Sequence, residues 1–179
     1  MDINGFRSGV TPPEFRQLMR LLPTTVTVAA TMQENEPVGM LVGSFNSVSM
    51  DPMLVGFFGD HRSKTLRHLI DAPALSFNIL NSDHDYILEA FRGPVEQRFA
   101  QLPWALSTRG LPLIRDCLMT IEAIRHSTVP AGDHTLVLAE VVDIHSSGDE
   151  VDPLLYHHGA TTTVHRECGR EPATAGAPR

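Results

Sequence analysis

Apolar positions recur along this chain in short runs of strand type, broken by three brief segments of helical period. The first helical segment opens at Thr11-Pro12-Pro13-Glu14, where Thr11 suits the cap, Pro12 the first helical position and Glu14 the return arm of a capping box. Phe15, Leu18, Met19 and Leu22 follow at helical spacing, and Pro23 marks the end. Such a helix has to dock its apolar stripe on another surface. Strand-type runs follow over Thr24 to Met32, Val38 to Asn46 and Leu54 to Phe58, separated by turn signals at 33–37 and 50–52, and the first two read as a hairpin. Ser63 opens a second helix through Ile70, Ala74 to Leu80 reads as a buried strand, and Ser82 with Asp85 opens a third helix carrying Ile87, Ala90 and Phe91. The stretch from Gly93 to Pro112 is rich in turn formers and reads as a helical turn plus loop. Trp104 and Phe99 read as packing residues. Two long strands are then expected, Leu118 to Thr128 and His134 to Ser146, joined by a turn at 129–133, with a last short strand over Pro153 to His157. The run from His134 to Ile144 is almost continuously apolar, which predicts a strand covered on both faces by helices or by a second subunit.

The chain has 179 residues, one domain's worth of length, so no staples are needed to hold its core. Hydrophobic residues at 42% and charged residues at 20% describe an ordinary globular protein. The formal net charge of -7 repels nucleic-acid phosphates. No apolar run approaches a membrane span, and residues 1–10 do not read as a secretory signal, so a cytoplasmic location is expected. The two cysteines, Cys117 and Cys168, are expected as free thiols in that compartment. Residues 1–166 read as a single domain, and 167–179 as an unstructured tail of Gly, Ala, Pro, Thr and charge.

Familiar chemistry is missing from the motifs. There is no GxGxxG fingerprint, no P-loop, no GxSxG elbow and no HExxH, and the nine histidines are not accompanied by a Cys/His metal cluster, so no metal is expected. Two features remain. Ser44-Phe45-Asn46-Ser47-Val48-Ser49 sets three hydroxyls around the end of an apolar strand, suited to a phosphate or polar heterocycle and equally to a solvated strand end. Arg62-Ser63-Lys64 places two cations around a helix N-terminus, where the helix dipole favours acids. Lys64 is the only lysine in the chain. That arrangement is frustrated without an anion, which predicts a bound phosphate. Gly132-Asp133-His134 brings an imidazole to the mouth of a long strand, where a surface histidine is also common.

Taken in order, Gly39-Met40, Val42-Gly43-Ser44-Phe45, Ser47-Val48-Ser49, Asp51-Pro52, Phe77-Asn78-Ile79-Leu80, Gly132-Asp133-His134 and Pro153-Leu154-Leu155-Tyr156-His157 resemble the flavin reductase-like family, from about Phe15 to Val164. The resemblance implies a mainly β, split-barrel fold with short peripheral helices. It implies a homodimer that binds FMN or FAD, with NADH or NADPH as co-substrate and reduced flavin handed to a partner flavin-dependent monooxygenase. Retention of a tight flavin for direct action on a small organic substrate, or a non-catalytic flavin-binding module, are the alternatives. By the same resemblance Val42, Gly43, Ser44, Phe45, Ser47 and Ser49 touch the flavin, and Arg62, Ser63 and Lys64 its phosphate. Asn78 and Leu80 lie beside its ring, and His134 with Tyr156 or His157 meets the nicotinamide. Relatives often carry threonine at Leu41, asparagine at Gly43 and proline at Met53.

Overall fold

The computed structural model describes residues 9–148 and 151–164. The expected tail and Cys168 lie outside them. The capping box forms as the sequence predicts: Glu14 N–H donates to the Thr11 hydroxyl, and Thr11 N–H donates to the Glu14 carboxylate at 3.0 Å, opening α1 (Pro12–Met19). None of its residues is buried. The predicted docking of its stripe does not occur within the described residues.

Seven strands build one antiparallel sheet in the order β3 (Glu36–Val42), β2 (Thr27–Gln33), β6 (Ala74–Ile79), β9 (Met119–Ala131), β10 (His134–Ser146), β5 (Met53–Asp60), β4 (Asn46–Met50). The helix α2 (Lys64–Asp71) packs on one face, where Leu66 and Leu69 meet Val55, Phe57, Leu75, Phe77 and Val137. Ser63, its cap, also reaches Met40 on β3. The helix therefore runs from the end of β5 to pack against β3, the edge strand at the other side of the sheet. On the other side α3 (Asp85–Arg92) contributes Ile87 and Phe91 to a second cluster with Val28, Ala30, Leu80 and Phe99. Trp104 packs edge-on against Phe99, so both aromatics serve packing as expected.

Several boundaries differ from the sequence reading. The run from Thr24 splits: β1 (Thr24–Thr25) leaves the main sheet to pair with β11 (Leu155–His157), which pairs in turn with β12 (Ala160–Thr162). The predicted strand over Val38 to Asn46 stops at Val42 because Ser44 leaves the ladder. Its Oγ accepts from Phe58 N–H at 2.9 Å and donates to Phe58 O, so a side chain replaces a strand neighbour. Asn46–Met50 then forms a hairpin with β5. Within 93–112 lies half of a small hairpin, β7 (Trp104–Leu106) with β8 (Pro112–Ile114), whose turn is closed by Ser107 Oγ accepting from Arg109 and Leu111 N–H. Within the described residues β2 and β6 are covered on both faces, whereas β10 is covered on one, its other face being left open to a second subunit. On β10, Val137 and Ala139 are buried, but Leu136 faces outward between Phe58 and Val129, which are 44% and 46% exposed.

One buried group makes stability depend on pH. His84 is only 5% exposed, its Nδ1 has no hydrogen-bond partner among the described residues, and burial lowers its pKa from 6.5 against the pull of Asp116 and Asp83. The unfolded chain therefore takes the proton first, and stability falls as pH drops below about 6.5, levelling once the native histidine is protonated too. His84→Phe should flatten that slope. Urea titrations at a series of pH values measure it, and an equal slope in both proteins would exclude His84 as its source.

Candidate functional site

Segments far apart in sequence meet at one end of the main sheet because β5 and β10 pair in the register His134↔Asp60. The β9–β10 turn is tighter than predicted: Ala131 pairs with His134, leaving Gly132 and Asp133 as the loop. Gly132 has φ +66, a conformation that suits the first position of a hairpin turn and admits glycine readily. The turn presents Asp133 and His134 together, and Asp133 Oδ1 lies 2.6 Å from His134 Nδ1. This contact assigns Nδ1 as the protonated nitrogen of the neutral ring and leaves Nε2 free. The imidazole N–H holds the Asp133 carboxyl below its ordinary range. His61 N–H donates to Asp133 O, and its Nε2 lies 2.9 Å from Thr135 Oγ1, pinning the two rims together.

The cation pair beside this dyad is built differently from expectation. Arg62 folds back on Asp60, with Nε and Nη2 on the carboxylate and its own N–H bonded to Oδ1 at 2.8 Å. These hydrogen bonds hold the Asp60 carboxyl far below the usual carboxylate range. Half of the frustration read at the α2 N-terminus is thus relieved internally. Ser63 caps the helix by accepting from Leu66 N–H. Lys64 is exposed, has no acidic partner among the described residues, and begins a helix whose first turn carries no acid. A phosphate fits there by charge and by free backbone N–H groups.

Ser44 joins the same end through its bonds to Phe58, two residues before Asp60. Phe45 turns its ring inward against Phe77 at 4.8 Å. Val42 and Gly43 line a cavity of about 270 Å³ with Thr24, Phe91, Arg92 and Tyr156. A Cβ on Gly43 would lie 2.8 Å from Thr24 Oγ1, so the glycine permits that close approach. Tyr156 reaches this wall because it pairs with Thr24. It also borders a second groove of about 490 Å³ shared with His134, Asp133 and the exposed side of α1.

The remaining candidates stand apart. Ser47 and Ser49 lie on β4 opposite Val55 and Leu54, so Ser49 is about 20 Å along β5 from Asp60 at ~3.4 Å per residue. Asn78 is fully buried, donating to Val28 O and Pro112 O and accepting from Ile114 N–H, and Leu80 is fully buried in the α3 cluster. Neither side chain faces the clefts. Asn78 lies on β6 and Leu80 just past its end, and both side chains are spent on packing within the fold. His157 Nε2–H donates to Leu21 O, tying down the segment after α1, whereas Tyr156 faces the grooves by strand alternation. Of the two residues open in the sequence reading, Tyr156 is the one beside His134. Sequence reasoning missed Asp60, whose only signal was its place two residues before Arg62, and Thr24, which carried none. Cys117 is buried, and burial pushes its thiol up to about 12, outside any reactive range.

Residues 19–165 match the model of the flavin reductase like domain. Over 156 residues the chain is 31% identical to an NADH:FMN oxidoreductase of Rhodococcus erythropolis, covering 85% of this chain and 81% of that one. It is 31% identical over 154 residues to a flavin reductase of Pseudomonas putida, covering 86% and 91%. Among solved structures, flavin reductase PheA2 superposes with a TM-score of 0.78 at 31% identity, covering 88% of this chain and 100% of that one. The Streptomyces globisporus NADH:FAD oxidoreductase SgcE6, in complex with NAD and FAD fragments, superposes with a TM-score of 0.83 at 25% identity, covering 91% and 100%.

Proposed function

Because the chain belongs to the flavin reductase like family, we propose that it is an NAD(P)H:flavin oxidoreductase that reduces FMN or FAD and supplies reduced flavin to a partner monooxygenase. The observation that carries the reading is the convergence of Ser44, the α2 N-terminus with Lys64, and the Asp133–His134 dyad at one end of the sheet. Hydride passes from the nicotinamide C4 to flavin N5, chemistry that belongs to the two substrates. The chain's work is to hold them in contact and keep water out. Lys64 and the α2 N-terminus receive the flavin phosphate, with Ser44 and Gly43 along the approach to the ring. His134, oriented by Asp133, faces the nicotinamide with Tyr156. Hydride transfer needs no nucleophile from the protein.

The founding test is oxidation of NADH and NADPH by the purified protein with FMN, FAD or riboflavin in excess. Turnover that saturates with added flavin supports the reading; flavin retained through gel filtration, without reduction of free flavin, overturns it in favour of a flavoenzyme acting on its own substrate. Names of the relatives favour NADH as donor. Lys64→Ala should raise the KM for FMN by roughly five- to ten-fold while riboflavin, which has no phosphate, is little affected. Equal losses for both flavins would remove Lys64 from the phosphate site.

The homodimer belongs to the same proposal. Phe58, Leu136 and Val129 stand side by side on the outer face, and Val48 and Leu138 close over Gly56 beside them. A continuous apolar ridge of this kind suits a subunit interface. No described helix is long and apolar enough to cross a membrane, and a pyridine-nucleotide substrate accords with the cytoplasm.

A further inference from the structure

We propose that Glu122, Asp143 and His145 form a site for a divalent first-row metal ion of the Zn²⁺ type, at the end of the β9–β10 ladder away from His134. One carboxylate oxygen each from Glu122 and Asp143 and a ring nitrogen of His145 lie within 4.8 Å of one another. Strand register assembles the set: Asp143 stands opposite Glu122, and His145 follows two positions on along the same face. A bulge decides which face that is. Up to Val141 the odd-numbered residues Val137, Ala139 and Val141 of β10 pack with Ile121 and Ala123 beneath α2. The register shift between Val141 and Asp143 leaves Val142 as the extra residue and reverses the alternation, so Asp143 and His145 turn to the side of Glu122. His134 lies roughly 30 Å back along β10 at ~3.4 Å per residue, so this place is separate from the grooves described above.

Glu122 is only 3% exposed, yet no cationic side chain pairs with it among the described residues. One of its oxygens accepts from Ser107 Oγ at 2.8 Å, and the other has no hydrogen-bond partner among the described residues. A buried carboxylate without a countercharge is costly, and a second carboxylate directly across the strand pair adds to the cost. A divalent cation between them relieves both. Asp143 Oδ1 is taken by Ile144 N–H, and Oδ2 lies 3.7 Å from His145 Nε2. That separation is too long for a hydrogen bond and close to the ~3.3 Å between ligands placed about 2.0–2.1 Å from a tetrahedral ion. The Asp143 and His145 side chains are 41% and 65% exposed, so they can close on an ion, while buried Glu122 supplies the fixed arm. One imidazole with two carboxylates selects a borderline ion such as Zn²⁺ over Mg²⁺ or Ca²⁺, which take oxygen alone, and water completes the shell. Bound there, the ion joins β9 to β10 and, through Ser107, to the β7–β8 turn.

Equilibrium dialysis of the EDTA-treated full chain against Zn²⁺ tests the site. The expected result is one ion per chain at a Kd of about 1 μM or tighter. At a hundred-fold excess over that Kd, Zn²⁺ should raise Tm by roughly 5–10 °C, whereas Mg²⁺ and Ca²⁺ should leave it unchanged. His145→Ala, at an exposed position where folding is not at stake, should weaken Zn²⁺ at least ten-fold and abolish the Tm shift. Glu122→Gln, which keeps an acceptor for Ser107, should do the same. His126→Ala, an exposed histidine elsewhere on β9, should change neither quantity. Zn²⁺ bound equally well by His145→Ala, or weakened as much by His126→Ala, would mean an adventitious ion only and overturn the site, as would no binding to the wild-type chain below about 0.1 mM. Tight Mg²⁺ binding that survived His145→Ala would overturn the mixed ligand set. No step needs flavin or NADH, so the metal site stands or falls separately from the oxidoreductase reading.

Discussion

His134→Ala should slow flavin reduction by about ten- to a hundred-fold, the cost of losing a group that positions one reactant, while leaving FMN affinity essentially as it is. The asymmetry comes from where the imidazole sits. It stands at the first residue of β10, beyond a two-residue turn, and lines the groove that α1 closes rather than the cavity beside Val42 and Gly43. Asp133 fixes its tautomer, so Nε2 faces outward with a defined lone pair. Asp133→Asn should therefore cause part of the same loss, because the amide can present either a donor or an acceptor to Nδ1. The carboxyl of Asp133 is held below its ordinary range, so it stays ionised across the neutral range and its charge is lost only as pH falls through that depressed value. Single-turnover mixing of NADH with a protein–FMN solution separates these effects. An unaltered rate in the alanine variant would leave His134 without a role in hydride transfer.

The largest effect on stability is expected at Asn78. Asn78→Ala removes the acceptor for Ile114 N–H at 2.8 Å, leaving that buried donor unpaired, and one of the two side-chain donors to Pro112 O. Together with the cavity, the loss is about 3–5 kcal/mol, enough to unfold a marginal domain in mild denaturant. The side chain bolts β6 to the β7–β8 hairpin, whose turn is also held to β9 by the Ser107 hydroxyl donating to the Glu122 carboxylate at 2.8 Å. Ser76 lends a second bond to the same carbonyl, at 2.7 Å. Urea unfolding checks the figure. Were Asn78 a flavin contact, the variant would instead keep its stability and lose FMN affinity, and that pattern would refute the structural assignment.

Asn78 also illustrates what could be read from the sequence. Signals that act within a few residues were legible: the Thr11–Glu14 capping box, the β2–β3 hairpin and the Ser63 cap all stand where the pattern puts them. Boundaries set by distant partners were not. The early end of β3 depends on Ser44 finding Phe58 fourteen positions away, and the β7–β8 hairpin on Asn78 and Ser76, more than thirty away. The candidate site divides in the same way. Arg62, Ser63, Lys64, Ser44 and His134 were nominated from local chemistry, and register then brought them to one end of the sheet. Tyr156 could be preferred to His157 only once β1–β11 pairing gave β11 two distinct sides.

The pairing of Thr24 with Tyr156 has a consequence for the order in which the molecule becomes competent. Three of the six pairings in the main sheet, β2–β3, β4–β5 and β9–β10, join neighbours in sequence, and such contacts close short loops early. The Thr24–Tyr156 pairing is far longer in range than these, and both grooves have Tyr156 in their walls. On a ribosome the sheet and α2 can assemble while β11 is still inside the exit tunnel. The grooves that Tyr156 walls cannot, and they stay incomplete until β11 emerges and pairs with β1.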